Sequence, residues 1–222
     1  MNATEALEKL RQGNARFLAN VRGAEPILSQ VRRADFVHGQ NPFAVVLGCS
    51  DSRVPAEIVF DQGLGDLFVI RVAGNVVAPS QVGSVEFAVE RFDTPLVVVL
   101  GHTSCGGVAA TLDVLQNRAR PGSRGLMSIV DRIRPSIEPL LQAGLAAQPE
   151  ELMRISIRAN VRASANQLRH GSEIIERMIA ERGLAVVGGV YDLATGAVEF
   201  FDGVPGASPG AVMQTDPHRS GA

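Results

Sequence analysis

The sequence predicts an α/β protein: a mainly parallel central β-sheet flanked by helices, with an antiparallel C-terminal strand and an extended N-terminal helix. Three observations carry that prediction. Two continuous apolar runs, FAVVLG at 43–48 and LVVVLG at 96–101, have the length and β-branched content of strands buried on both faces. Between and after them apolar residues recur at helical spacing, as in Val85, Ala88, Val89 and Phe92. Two late strand-like runs, 185–191 and 198–201, flank Ala194-Thr195-Gly196 and so read as a hairpin. Strands alternating with helices make a parallel core.

Taken in order, residues 3–19 read as a helix through Leu7, Leu10, Phe17 and Leu18, with Asn2 and Glu5 as a capping pair. Its apolar stripe suits either its own domain or a second subunit, and spacing does not choose between them. Residues 26–34 read as a loop passing into a short helix. Pro42 precedes the first strand, and the segment 67–77 opens with the second, Leu67-Phe68-Val69-Ile70. Gly63-Leu64-Gly65 is a plain turn, because no complete GxGxxG follows a strand. The helix marked by Val85 to Phe92 leads into the strand 96–100, and Val108, Leu112 and Leu115 mark the helix after it. From 126 to 182 the pattern is helical, with Pro135, Pro139 and Pro149 expected to break it, since proline lacks the N–H donor and clashes with the preceding turn. Gly183 stops the last piece, which carries Ile174, Ile175, Met178 and Ile179. Residues 1–203 thus form one domain, and 204–222, rich in Gly, Pro and Ser, form a disordered tail.

At 222 residues the chain can bury one good core. A net charge of −2 without a basic, aromatic-laced stripe argues against a nucleic-acid partner. No apolar run approaches the roughly 20 residues that cross a bilayer, and the N-terminus lacks a secretory pattern. With two cysteines no disulfide framework is indicated, so the cytoplasm is the default compartment.

The chemistry concentrates at two strand ends. Cys49-Ser50-Asp51-Ser52-Arg53 leaves the first long strand, and His102-Thr103-Ser104-Cys105 leaves the next. Open α/β sheets bind ligands beyond the carboxyl ends of their strands. Two thiolates and an imidazole are donors that zinc prefers, and three protein ligands leave one position for chemistry. Cys49, His102 and Cys105 are therefore the candidate metal ligands, for one Zn2+ per chain. Gly106-Gly107 begins a helix directly after Cys105, whose N-terminal amides favour the thiolate. Asp51 has two possible places: as a fourth ligand in a closed site, or held by the Arg53 guanidinium, which pairs bidentately with carboxylates. The second leaves room for water. His38, His170 and His218 have no ligand spacing and read as surface residues, with His38 near Gln40 a minor candidate for proton export.

CSDSR and GHTSCGG, each preceded by its apolar strand, resemble the paired motif of β-class carbonic anhydrases. The similarity extends from Gly13-Asn14-Ala15-Arg16-Phe17 in the first helix to the hairpin near Phe201. The resemblance implies zinc on Cys49, His102 and Cys105, a catalytic Asp51–Arg53 dyad, and hydration of carbon dioxide by zinc-bound hydroxide that Asp51 orients. It also places Gln40 and Phe68 near the substrate, Gln40 donating to a bicarbonate oxygen. With Val72 and Phe87, Phe68 would make an apolar pocket suited to a small gas, while Gly106 and Gly107 let backbone approach the site. Phe87 stands where many members carry tyrosine. Val46 replaces the tryptophan of the bicarbonate-inhibited subgroup, which implies a plant-type member without the regulatory bicarbonate site and leaves Arg71 as a structural ion-pair residue. A homodimer or homotetramer joined through N-terminal helices is implied as well. Three other readings stay open: a carbonyl sulfide or carbon disulfide hydrolase on this scaffold, a non-catalytic zinc or redox-sensing protein, and a metal-free enzyme with a cysteine nucleophile.

Overall fold

Strands with no polar position on either face need cover on both, and the fold provides it. A computed structural model describes residues 1–206 apart from Arg32, Pro121, Leu145 and Ala146. β1 (Ala44–Gly48) and β3 (Leu96–His102) are buried at every position. With β2 (Leu67–Arg71), β4 (Ala185–Tyr191) and β5 (Val198–Asp202) they form a five-stranded sheet of order β2-β1-β3-β4-β5. All neighbours are parallel except β4 and β5. Side chains alternate across the sheet as the pleat requires. Val45, Leu47, Val97 and Val99 enter one apolar cluster; Ala44, Val46, Leu96 and Val98 enter the other.

The helices are α1 (Ala3–Leu18), α2 (Ala24–Val31), α3 (Ala56–Val59), α4 (Pro79–Phe92), α5 (Gly106–Leu115), α6 (Arg124–Gln142), α7 (Pro149–His170) and α8 (Glu173–Arg182), with 3-10 turns at Arg33–Phe36 and Ala73–Asn75. None of the described helices is long and apolar enough to cross a membrane. α1 opens with the expected reciprocal capping box, Asn2 Oδ1 accepting from the Glu5 amide and Glu5 accepting from that of Asn2. Leu7 and Leu10 are buried in the chain's own core with Phe43 and Phe60, whereas Leu18 remains 43% exposed. The domain therefore claims most of the stripe. Buried Asn14 ties α1 down, its amide donating to Val59 and Gly196 and its oxygen accepting from the Val198 amide.

Two expectations about prolines need correction. α6 runs unbroken for 19 residues through Pro135 and Pro139. Both prolines face solvent while Val130, Ile133 and Ile137 are buried. Packing of that face against Leu112 of α5 and Leu152 and Ile157 of α7 outweighs the lost amide donors. Likewise α2 begins ahead of Pro26, which a first helical turn tolerates. Pro149 starts α7, where its missing N–H has no intrahelical partner to lose. Gly183 ends α8 in a left-handed conformation, φ 70°, as expected. In the C-terminal segment Val204 packs on the second cluster, and residues 207–222, with His218, lie outside the described residues.

Candidate metal and catalytic site

The site lies where β1 and β3 end side by side. Gly48 is in register with Leu100 of β3 and Arg71 of β2, so Cys49 leaves the sheet between its neighbours. His102 is the last residue of β3, and Ser104, in a left-handed turn (φ 56°), swings the chain so that Cys105 caps α5. One ligand atom from each of Cys49, His102 and Cys105 lies within 4.8 Å of the other two, and all three residues are buried. The sheet thereby joins two motifs that stand about fifty residues apart in sequence.

His102 Nδ1 lies 2.9 Å from its neighbour Thr103's carbonyl oxygen and so carries the ring proton. Nε2 is left as an acceptor, buried and without a hydrogen-bond partner among the described residues. A buried imidazole lone pair facing two thiols is costly unless a cation takes it. The residues present thus fit a zinc ion in donor type, spacing and unmet valence.

The electrostatics agree. Cys49 is pulled down to about 4, first by the hydrogen bond from Cys105, against burial, and further by His102 and the amides of Asp51 and Gly74. Cys105 is pushed up by that same hydrogen bond to Cys49 and by burial, while the amides of Gly107 and Val108 at the start of α5 pull the other way. Burial opposes the charged form of His102, yet the neighbouring Cys49 pushes its pKa up. The pair releases one proton readily and holds the second, which a metal would displace.

Asp51 stands apart from the three-donor group. Arg53 donates to it through Nε at 2.9 Å, Nη2 at 2.7 Å and the backbone amide at 3.0 Å. The side-chain hydrogen bond from Arg53, chiefly, holds the carboxyl well below the usual carboxylate range. Its Oδ2 is 3.8 Å from His102 Nε2. An ionised acceptor therefore borders the donor cluster without belonging to it.

The remaining candidates are distributed unevenly. Val72 packs against the apolar cluster that contains Cys49 and Cys105. Phe68 touches Phe87, ring centroids 6.2 Å apart, and Phe87 packs edge-on against Phe92 while staying 54% exposed. Gln40, His38 and His170 are exposed. Gly107 packs on the Gly74 backbone so closely that a Cβ there would lie 3.1 Å from Gly74 Cα, whereas Gly106 has open space beside it. Arg71, expected in an ion pair, instead donates to the carbonyls of Cys49 and Asp51. Spacing in the sequence missed the supporting turn: Gly74 (φ 66°) donates its amide to Cys49 Sγ at 3.3 Å, and α7 holds that turn through Asn160 and Ser164. The one signal for it is Ala73-Gly74-Asn75, a glycine and asparagine directly after a strand.

Fold and cluster together define an α/β protein with one soft-donor cluster, among the described residues, that could hold a metal ion. The family model for carbonic anhydrase matches residues 44–198, from β1 to the first residue of β5. A carbonic anhydrase of Mycolicibacterium smegmatis is 44% identical over 198 residues, covering 89% of this chain and 93% of the relative. Carbonic anhydrase 2 of Mycobacterium tuberculosis is 41% identical, covering 90% and 94%. Among solved structures, a β-carbonic anhydrase of Aspergillus fumigatus matches with a TM-score of 0.71 at 30% identity, covering 82% of this chain and 86% of that one. The chain belongs to the carbonic anhydrase family, in its β class.

Proposed function

We propose that the chain hydrates carbon dioxide reversibly to bicarbonate and a proton, with zinc held by Cys49, His102 and Cys105 and with Asp51 and Arg53 as the catalytic dyad. The observation that carries the reading is the bidentate Asp51–Arg53 pair lying 3.8 Å from the unpartnered His102 Nε2. When bound, zinc supplies a Lewis acid that brings the acidity of a water close to neutral pH. Asp51, ionised, can only accept a hydrogen bond, so it selects a nucleophile that presents an O–H and turns the free lone pair towards carbon dioxide. Arg53 fixes the carboxylate beforehand, which spares reorganisation during the reaction.

Phe68, Val72 and Phe87 supply apolar surface for an uncharged gas, Gln40 a donor for a bicarbonate oxygen, and Gly106 and Gly107 close backbone approach. Phe87 brings no hydroxyl. We place the chain in the plant-type subgroup without the regulatory bicarbonate site, because Val46 is wholly buried and Arg71 already binds two carbonyls. Two buried, unbridged cysteines suit the reducing cytoplasm. A homodimer or homotetramer is supported by exposed Leu18, Ile27, Leu28, Phe36 and Val37, and by tetrameric β-carbonic anhydrases from Sordaria macrospora that match with a TM-score of 0.67 at 26% identity.

The test combines metal analysis with stopped-flow hydration between about pH 6 and 9, with carbonyl sulfide and carbon disulfide as competitors. One zinc per chain and activity rising with pH are expected. Metal-free protein, or faster turnover of either sulfur gas, overturns the assignment.

A further inference from the structure

Arg71 closes β2 in register with Gly48, beside the point where the chain turns into Cys49. Its Nε donates to the Cys49 carbonyl at 3.2 Å and its Nη2 to the Asp51 carbonyl at 2.6 Å. The second bond is solvent-exposed, so hydration alone does not call for a guanidinium there. What the guanidinium adds is rigidity. A planar fork spanning two carbonyls fixes the peptide planes on either side of Ser50-Asp51 and, with them, the direction of the Asp51 side chain. The same segment grips the turn again at Gly74, whose amide donates to Cys49 Sγ. It is anchored in turn on α7, where Asn160 Nδ2 donates to Gly74 O at 2.8 Å and Ser164 Oγ to Asn75 O at 3.0 Å.

We propose that Arg71 is a positioning residue for hydration: by holding the Cys49 and Asp51 carbonyls, it keeps the Asp51 carboxylate on Arg53 and out of the donor cluster. The inference rests on the zinc and dyad reading above. A direct contact with substrate is not required of it. The signature to expect is a site that still takes metal but admits Asp51 among its donors.

The test compares wild-type protein with Arg71→Ala, Arg71→Lys and the Arg71→Ala/Asp51→Asn double variant, each loaded with zinc for kinetics and with cobalt(II) for visible absorption. Arg71→Ala keeps one metal per chain and loses about 10²-fold in kcat, the scale for a misplaced reacting group. Its cobalt spectrum shifts towards an added oxygen donor, and the shift vanishes in the double variant. Wild-type kcat with an unchanged spectrum overturns the proposal, as does a spectral shift that persists without the Asp51 carboxylate. Should Arg71→Ala not fold, Arg71→Lys decides: the charge without the fork gives intermediate kcat and a smaller shift, and full wild-type behaviour overturns the two-carbonyl clamp. Wild-type protein that lacks metal or hydration activity instead fails the underlying reading, which keeps the two failures distinct.

Discussion

Asp51 and Arg53 show how much a few atoms decide. Without Arg53, a carboxylate next to two thiols and an imidazole would be a natural fourth metal donor. Three hydrogen bonds from one residue hold it aside as an ionised acceptor. Asp51→Asn preserves size but replaces one acceptor oxygen by an N–H2 donor and removes the charge that Arg53 pairs. The variant is expected to bind one zinc per chain and to lose about 10²-fold or more in kcat, the range for a general acid–base or orienting group. Metal analysis alongside stopped-flow rates checks this, and normal turnover would refute the role. Residue types and spacing made the Asp51–Arg53 pair and the three-donor cluster readable beforehand. The tautomer of His102 was not readable, because the Thr103 carbonyl that sets it belongs to a turn whose shape depends on β3, β4 and α5 meeting.

At the scale of elements, α6 sets local propensity against tertiary packing, and packing wins. Pro135 is exposed and leaves the Asp131 carbonyl without its helical donor. Pro135→Ala restores that donor at the expense of some unfolded-state entropy, for a net gain of about 1–2 kcal/mol in unfolding experiments. No gain would mean that the proline ring itself packs usefully. The β4–β5 hairpin makes a prediction in pH. Asp192 accepts from the Thr195 amide, the Thr195 hydroxyl and the Ala194 amide, which holds its carboxyl below the usual range. A depressed folded pKa stabilises fully above the unfolded value of about 4 and is lost as pH falls through the lower, folded value. Asp192→Asn should therefore flatten the decline of stability below about pH 4 in urea titrations; an unchanged acid limb would exclude the carboxylate as its source.

Over the whole molecule, the donor cluster joins the ends of β1 and β3 to the start of α5, and the 73–75 turn extends that junction to α7. A ligand that binds only the folded state stabilises it by mass action. Stripping the metal with a strong chelator should lower the melting temperature by the equivalent of about 4 kcal/mol when zinc had been present at a thousandfold excess over its Kd. Calorimetry of loaded and stripped protein reads this directly, and identical curves would show that the cluster holds no metal. Local chemistry in the chain was enough to specify strands buried on both faces, the hairpin, the helix caps and a soft-donor set at two strand ends, because apolar periodicity and donor type are properties of neighbouring residues. Folding alone decided that Leu7 and Leu10 serve their own core, that α6 passes through two prolines, and that Arg71 grips carbonyls instead of a carboxylate. Each of those depends on which distant backbone or side chain arrives within contact distance, and spacing along a chain carries no record of that.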